Sequence, residues 1–262
     1  VDGGNAVQRD DMIRVLGPID LLTGAGVVPV GGRNARALLA ALVVAAGHAV
    51  PTDALLDAVW GDSPPSTGDE MVHTYVSRLR QILGNDVIVR ADHMYRLAVT
   101  RDQIDALRFE DLMVAATEAR DEPSRCRVLC HQALDLWRGE PFGDLFDEEA
   151  FRLEAMRLDE LRVSTMELAL EAELALGRNE LVVAELASAV EEHPYRERLW
   201  HLLIEALVRS DRRVEALVAC GRLRGVLAEA GLEAGTVVCD LEARIRQSSG
   251  VGLGDRSSPA LG

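Results

Sequence analysis

The chain contains no lysine, so all 28 of its basic residues are arginine. Beside abundant Ala, Gly, Val and Leu, this reads as codon bias in a GC-rich genome and carries no mechanism. Aromatic residues are only 4% of a chain that is 48% hydrophobic, so its cores must be built from Leu, Val and Ala. The longest apolar run, residues 37–46, is far short of the ~20 residues that a membrane-spanning helix needs, and the acidic, polar start shows no secretory signal. Cysteine is scarce. Cys126, Cys130, Cys220 and Cys239 form no C-x-x-C pair. Cys126 and Cys130, followed by His131, make half a metal site at most, and small buried apolar residues are the simpler reading. A Gly-rich phosphate loop, an H-E-x-x-H pair and a nucleophile elbow are also missing. The many carboxylates, such as Asp147, Glu148 and Glu149, lie along helix surfaces. No enzyme, metal or cofactor is expected, and the setting implied is soluble, reducing and cytoplasmic, associated with the nucleoid.

What is present starts with charge. The net charge of −15 argues against a nucleic-acid partner at face value. It is unevenly spread, however: residues 1–100 hold 8 Arg and 11 acids, and residues 101–262 hold 20 Arg and 32 acids. Because salt screens over roughly 8 Å, an acidic second half does not veto DNA binding by the first.

The 262 residues suggest about two domains. Residues 1–11 read as a disordered leader with Met12 as a natural start, and residues 248–262 as a disordered tail. Residues 12–31 alternate as short strands. A first helix follows from Arg33 to Ala46, and Pro51-Thr52 opens a second that ends at Gly61. The segment Asp62-Ser63-Pro64-Pro65-Ser66 is a loop, because prolines cannot donate to regular pairing. Thr67 with Glu70 reads as a capping box that starts a third helix, which stops at Gly84. A hairpin closes the region, with strands at 87–90 and 95–99 around Ala91-Asp92-His93-Met94. Strands, three helices and a hairpin in about 90 residues describe an α+β winged helix-turn-helix domain, residues 12–101. Residues 102–247 read as all helical, with helices at 104–119, 124–138, 147–176, 179–192, 196–209, 212–230 and 236–247. Trp200, Leu203, Leu207, Ala216 and Cys220 follow the spacing of a tetratricopeptide unit. The earlier set Met166, Ala169, Glu173, Val182 and Leu186 repeats it, with Pro194 at the end of the repeat. Such helix pairs stack and leave a concave surface.

The third helix stands out. Val72, Val76, Leu79 and Leu83 form one stripe, and Thr74, Ser77, Arg78 and Gln81 face the other way, with Arg80 on the flank. Those side chains hydrogen-bond bases and phosphates.

Residues 12–247 resemble the SARP family, the Streptomyces antibiotic regulatory proteins. The resemblance is carried by residues 14–19 (RVLGPI), 31–42 (GGRNARALLAAL), 55–65 (LLDAVWGDSPP), 75–79 (YVSRL), 133–139 (ALDLWRG), 160–162 (ELR), 175–178 (ALGR) and 193–199 (HPYRERL). It implies an OmpR/PhoB-type winged helix joined to a bacterial transcriptional activation domain of tetratricopeptide-like helices. The implied function is that of a transcriptional activator which binds direct repeats near promoters and recruits RNA polymerase holoenzyme with its sigma factor. A homodimer on DNA stays open, and a secondary-metabolite (antibiotic) gene cluster is the implied target. Thr74, Ser77, Arg78 and Arg80 match the family's DNA-contacting positions, and the loop Asp62, Ser63, Pro64 and Pro65 resembles a polymerase-contacting loop.

The residues themselves support related roles. Arg78 suits a bidentate pair with guanine and Thr74 a thymine methyl, while Ser77 and Arg80 suit phosphates. Arg33 and Arg36 at the start of the first helix suit flanking phosphates, and Arg90 and Arg96 project from the wing. The wing lacks the usual glycines and carries Asp92, and Asp69 and Glu70 open the recognition helix with two acids. Glu70 is expected to cap the helix rather than accept a cytosine amino group. Two other readings use the helical domain instead, as a protein-interaction scaffold or as a ligand-gated regulator around Trp137, Tyr195 and Trp200.

Overall fold

The computed structural model describes residues 11–233 and 235–250. The expected leader and tail lie outside the described residues except for Asp11 and residues 248–250. The chain divides into two compact units, one holding the described residues up to Ala119 and Val128–Met166, the other Arg120–Arg127 and the described residues from Glu167 on.

The first unit opens with an antiparallel meander of β1 (Met12–Arg14), β2 (Asp20–Thr23) and β3 (Gly26–Pro29). Helix α1 (Arg33–Val44) follows, buried through Leu38, Leu39, Leu42 and Val43. A two-residue strand β4 (Val50–Pro51) leads into α2 (Thr52–Trp60), a loop, and α3 (Gly68–Leu83). Strands β5 (Ile88–Ala91) and β6 (Met94–Leu97) form the hairpin, and β4 joins its β6 edge through Val50–Tyr95 and Pro51–Met94 pairs. The result is a winged helix. Pro51-Thr52 opens the second helix as expected, with Pro51 as its N-cap, and Pro51 also ends a strand that the sequence did not suggest. Its ring removes an amide donor, which an edge strand tolerates.

The core of this unit does not end with the hairpin. Leu39, Leu55, Val76, Leu79, Ile88, Tyr95 and Leu97 share one apolar cluster with Phe109, Phe142, Leu145, Phe151 and Leu158. Those last residues come from α4 (Asp105–Glu118), a short 3-10 turn at Gly143–Leu145 with Phe142 just before it, and the first half of α6 (Glu149–Ala175). Each fully buried Leu or Phe contributes about 1.5–3 kcal/mol relative to exposure, so the helices after the wing stabilise the winged helix itself. Helix α5 (Pro123–Leu134) contributes Ala133 to the same cluster.

Two details tie this packing together. The carboxylate of Asp105, the first residue of α4, accepts the backbone amides of Val15 and Leu16 at 2.8 and 3.0 Å. Gly17 has φ +139°, and a Cβ there would lie 2.9 Å from the Cβ of Arg138, so no larger residue fits. The Arg138 amide donates to the Leu16 carbonyl, and its guanidinium reaches Pro18 O and Asp20.

In the second unit, α7 (Asn179–Glu192), α8 (Glu197–Arg209), α9 (Arg213–Glu229) and α10 (Thr236–Gly250) follow one another, with α8 packed on α7 and α9. Trp200, Leu203, Leu207, Ala216 and Cys220 are all buried, as are Ala169, Val182 and Leu186. The Trp200 indole donates to the Pro194 carbonyl at 2.9 Å. The tetratricopeptide spacing therefore marks inward-facing positions throughout the later set, and in the earlier one at all but Met166 and Glu173, which are half-buried. Cys126, Cys130 and Cys220 are completely buried, and burial pushes the Cys220 thiol up to about 11. No helix among the described residues is long and apolar enough to cross a membrane.

Candidate nucleic-acid interface

The apolar stripe of α3 is wholly inside, with Val72, Val76, Leu79 and Leu83 at most 1% exposed. That pins the helix rotation, because residues about 100° apart have only one orientation that buries all four. Asp69, Glu70, Thr74, Ser77, Arg78 and Gln81 are left exposed on the other side. Thr74 donates its hydroxyl to the Glu70 carbonyl at 2.9 Å, one turn back.

The start of α3 differs from expectation. Thr67 precedes the helix but makes no side-chain cap hydrogen bond, so the capping box with Glu70 does not form. Its backbone has ψ 28°, whereas a capping side chain needs an extended N-cap. The turn comes instead from the Gly68 amide bonding to the Pro65 carbonyl at 2.9 Å. Glu70 is thereby left exposed, near a helix N-terminus that favours negative charge.

The wing is fastened to α3 at two points. Arg80 is half-buried and donates from Nε and Nη2 to the Ile88 carbonyl at 2.9 and 2.5 Å. The Tyr95 hydroxyl lies 2.7 Å from His73 Nδ1, with the two rings edge to face. Burial raises the Tyr95 phenol pKa above its ordinary value, so the hydroxyl stays protonated at neutral pH. At the tip, a two-residue loop, Asp92-His93, joins β5 to β6, with Asp92 in the left-handed region at φ +52°. The backbone amide and hydroxyl of Thr52 at the start of α2 both donate to the His93 carbonyl, holding the tip.

Strand register separates the two wing arginines. Arg90 pairs directly with Tyr95, and Arg96 with Val89. Directly opposed residues share a face and successive residues alternate. Arg90 therefore lies on the face of Tyr95, its guanidinium carbon 5.8 Å from that ring centre, and Arg96 lies on the reverse face.

Arg33 and Arg36 are occupied otherwise. Arg33 pairs with Glu148 at 2.5 Å. Arg36 bonds Asp144 through two nitrogens and also the Gly31 carbonyl. Hydrogen bonding from Arg36 holds the Asp144 carboxyl below the usual range. Beside Arg33, an open cleft of about 930 Å³ is lined by Asn34, Trp60, Gly61, Asp62, Pro64 and Glu148, among others. It brings the exposed loop residues Asp62 and Pro64 next to the start of α1, while exposed Ser63 and half-buried Pro65 do not line it.

Of the three aromatic residues on which a ligand-gated reading would rest, two belong to cores, the simpler reading of aromatics at such positions. Trp137 packs edge to face on Phe109 in the first unit, and Trp200 is 1% exposed in the second. Tyr195 is exposed.

Comparison with known proteins points the same way as the geometry of α3. Residues 30–94 match the family described as "Transcriptional regulatory protein, C terminal", and residues 104–246 match the "Bacterial transcriptional activator domain". The chain is 32% identical over 267 aligned positions to regulatory protein DnrI of Streptomyces peucetius, covering 95% of this chain and 96% of that protein. It is 36% identical over 234 positions to regulatory protein AfsR of Streptomyces griseus, covering 88% of this chain. The chain spans only 24% of that relative's length. The solved structure of Mycobacterium tuberculosis EmbR, in complex with low affinity phosphopeptide, matches with a TM-score of 0.86 and 34% identity, covering 92% of this chain and 66% of that one.

Proposed function

The chain belongs to the SARP-type transcriptional regulators, a winged helix followed by a bacterial transcriptional activator domain, and we propose that it activates transcription by binding promoter direct repeats and recruiting RNA polymerase holoenzyme. The single observation that carries this reading is the face of α3: four apolar residues fully buried, and Thr74, Ser77, Arg78 and Gln81 exposed beside a wing fastened to the same helix.

In this reading α3 enters the major groove. Arg78 reads a guanine through paired N–H donors, the Thr74 methyl meets a thymine, and Ser77 holds a phosphate. Glu70, which makes no cap, accepts from a cytosine amino group. Arg90 reaches the backbone or minor groove from the wing face shared with α3. Arg80 sets the angle between helix and wing through Ile88. Arg33 and Arg36 contribute least, because carboxylates already neutralise them. The loop Asp62–Pro65 meets the sigma factor, direct repeats seat two copies of the chain side by side, and the regulated genes form a secondary-metabolite cluster.

Footprinting on the DNA upstream of the flanking genes tests the binding. Two protected sites on one face of the duplex are expected, with transcription by holoenzyme rising when the protein is added. No protection at low salt sinks the reading.

A further inference from the structure

We propose that Tyr75 is a positioning residue for base readout, its ring holding the Arg78 guanidinium ready for DNA. The proposal rests on Arg78 reading a base. An exposed arginine has many rotamers, and ordering it on DNA opposes binding. Arg78 is exposed, and among the described residues the contact of its guanidinium is the Tyr75 ring, 5.6 Å from Cζ to the ring centre. That separation lies within the range of a cation–π contact. The two residues are three apart on α3, and so are neighbours on one helix face.

The ring is itself held. Tyr75 is half-buried, its centre 6.1 Å from that of Trp60 with the planes at 47°. Its hydroxyl accepts a hydrogen bond from Asn34 Nδ2 at 3.3 Å. Trp60 is the last residue of α2, and Asn34 is in the first turn of α1. Three helices thus fix the platform under one side chain.

The chemistry of the contact matters as much as its distance. A ring takes up the face of the guanidinium and leaves the N–H donors along its edge available. A guanine offers N7 and O6 to that edge. A carboxylate has the opposite effect, because it binds the edge. Arg33 and Arg36 are held by carboxylates, and Arg78 by a ring. Arg90 shows the ring arrangement again over Tyr95, whose hydroxyl is held by His73. Its edge also donates from Nε to the Asp92 carbonyl at 3.2 Å.

The test is a binding titration of the full chain on the footprinted duplex and on a scrambled duplex of equal length, read as the ratio of the two affinities. Tyr75→Leu should lower that ratio roughly two- to five-fold, the worth of an exposed cation–π contact. Tyr75→Phe keeps the ring and should stay within about two-fold of the parent. In an Arg78→Ala background, Tyr75→Leu should have no further effect. If Tyr75→Leu melts far below the parent, Tyr75→Met, which fills similar space without a ring, takes its place. An unchanged ratio for the non-aromatic variants overturns the proposal, and so does an equal loss with and without Arg78, which would mean that Tyr75 acts by itself. If Arg78→Ala alone leaves the ratio unchanged, it is the readout by Arg78 that fails.

Discussion

The carboxylate of Asp105 accepts the amide of Leu16 at 3.0 Å with one oxygen while the other takes the amide of Val15 at 2.8 Å. Arg138 Nη2 stands 3.6 Å from the same carboxylate. A residue just after the winged helix thus closes the corner between that domain's first two strands.

Asp105→Asn should therefore be less stable by about 1–3 kcal/mol at pH 7, since an amide can accept from only one of the two buried N–H groups. Burial pushes the Asp105 carboxyl up to about 6, against bonding from Val15 and Leu16 that pulls it down. The native state then holds this proton more tightly than the unfolded chain does. The stability gained from protonation is complete below about pH 4 and is lost as pH rises through about 6. The difference in melting temperature between parent and Asp105→Asn should change across that window. A constant difference from pH 4 to 7 contradicts it.

Gly17→Ala should destabilise by about 1–3 kcal/mol, because an alanine must adopt a strained φ and displace Arg138. Gly24→Ala, with open space around it, serves as the control and should be close to neutral in the same thermal melts.

Arg78→Ala should lower affinity for the protected site by about 1–3 kcal/mol and relax preference at one base pair. Titration against single base-pair variants of the site measures this. A uniform loss over all variants would make Arg78 a phosphate contact instead.

Arg90→Ala should weaken site and scrambled DNA alike and reduce the slope of log affinity against log salt by about 0.9, the value for one phosphate. An unchanged slope would remove Arg90 from the backbone contacts.

Arg80→Ala should cost about 1.5 kcal/mol of folding stability, the low end for a charged hydrogen bond, through loss of its two bonds to Ile88. DNA binding should weaken with the salt slope intact. A slope that drops by a full phosphate, with stability unchanged, would return Arg80 to the DNA-contacting set.

Much of the fold was legible in local pattern. The 3.6-residue period located the helices because each has one face that must be buried, and the Val72–Leu83 stripe correctly placed Thr74, Ser77 and Arg78 outside. Legibility failed where a long-range partner decides. Strand β4 is two residues long and exists only because Tyr95 and Met94 pair with it. The Thr67–Glu70 pattern suggested a cap, but a turn through Pro65 set the Thr67 backbone otherwise. Asp105 is one more acid at a helix start, and nothing nearby in sequence signals Val15 or Leu16.

The order of the helices and the outward face of α3 are written in the spacing of neighbouring residues, and the resemblance to the family in short motifs between residues 14 and 199, so the amino-acid sequence alone was enough for them. Which partner each arginine takes was decided by tertiary packing. Arg33, Arg36, Arg78, Arg80 and Arg90 carry one and the same side chain. In the folded protein Arg80 is bound to Ile88, Arg33 and Arg36 to carboxylates, and Arg78 and Arg90 lie on tyrosines. A guanidinium takes whichever partner the fold brings within a few ångströms. For Arg33 and Arg36 that partner lies 115 and 108 residues further along the chain, beyond the reach of any local pattern.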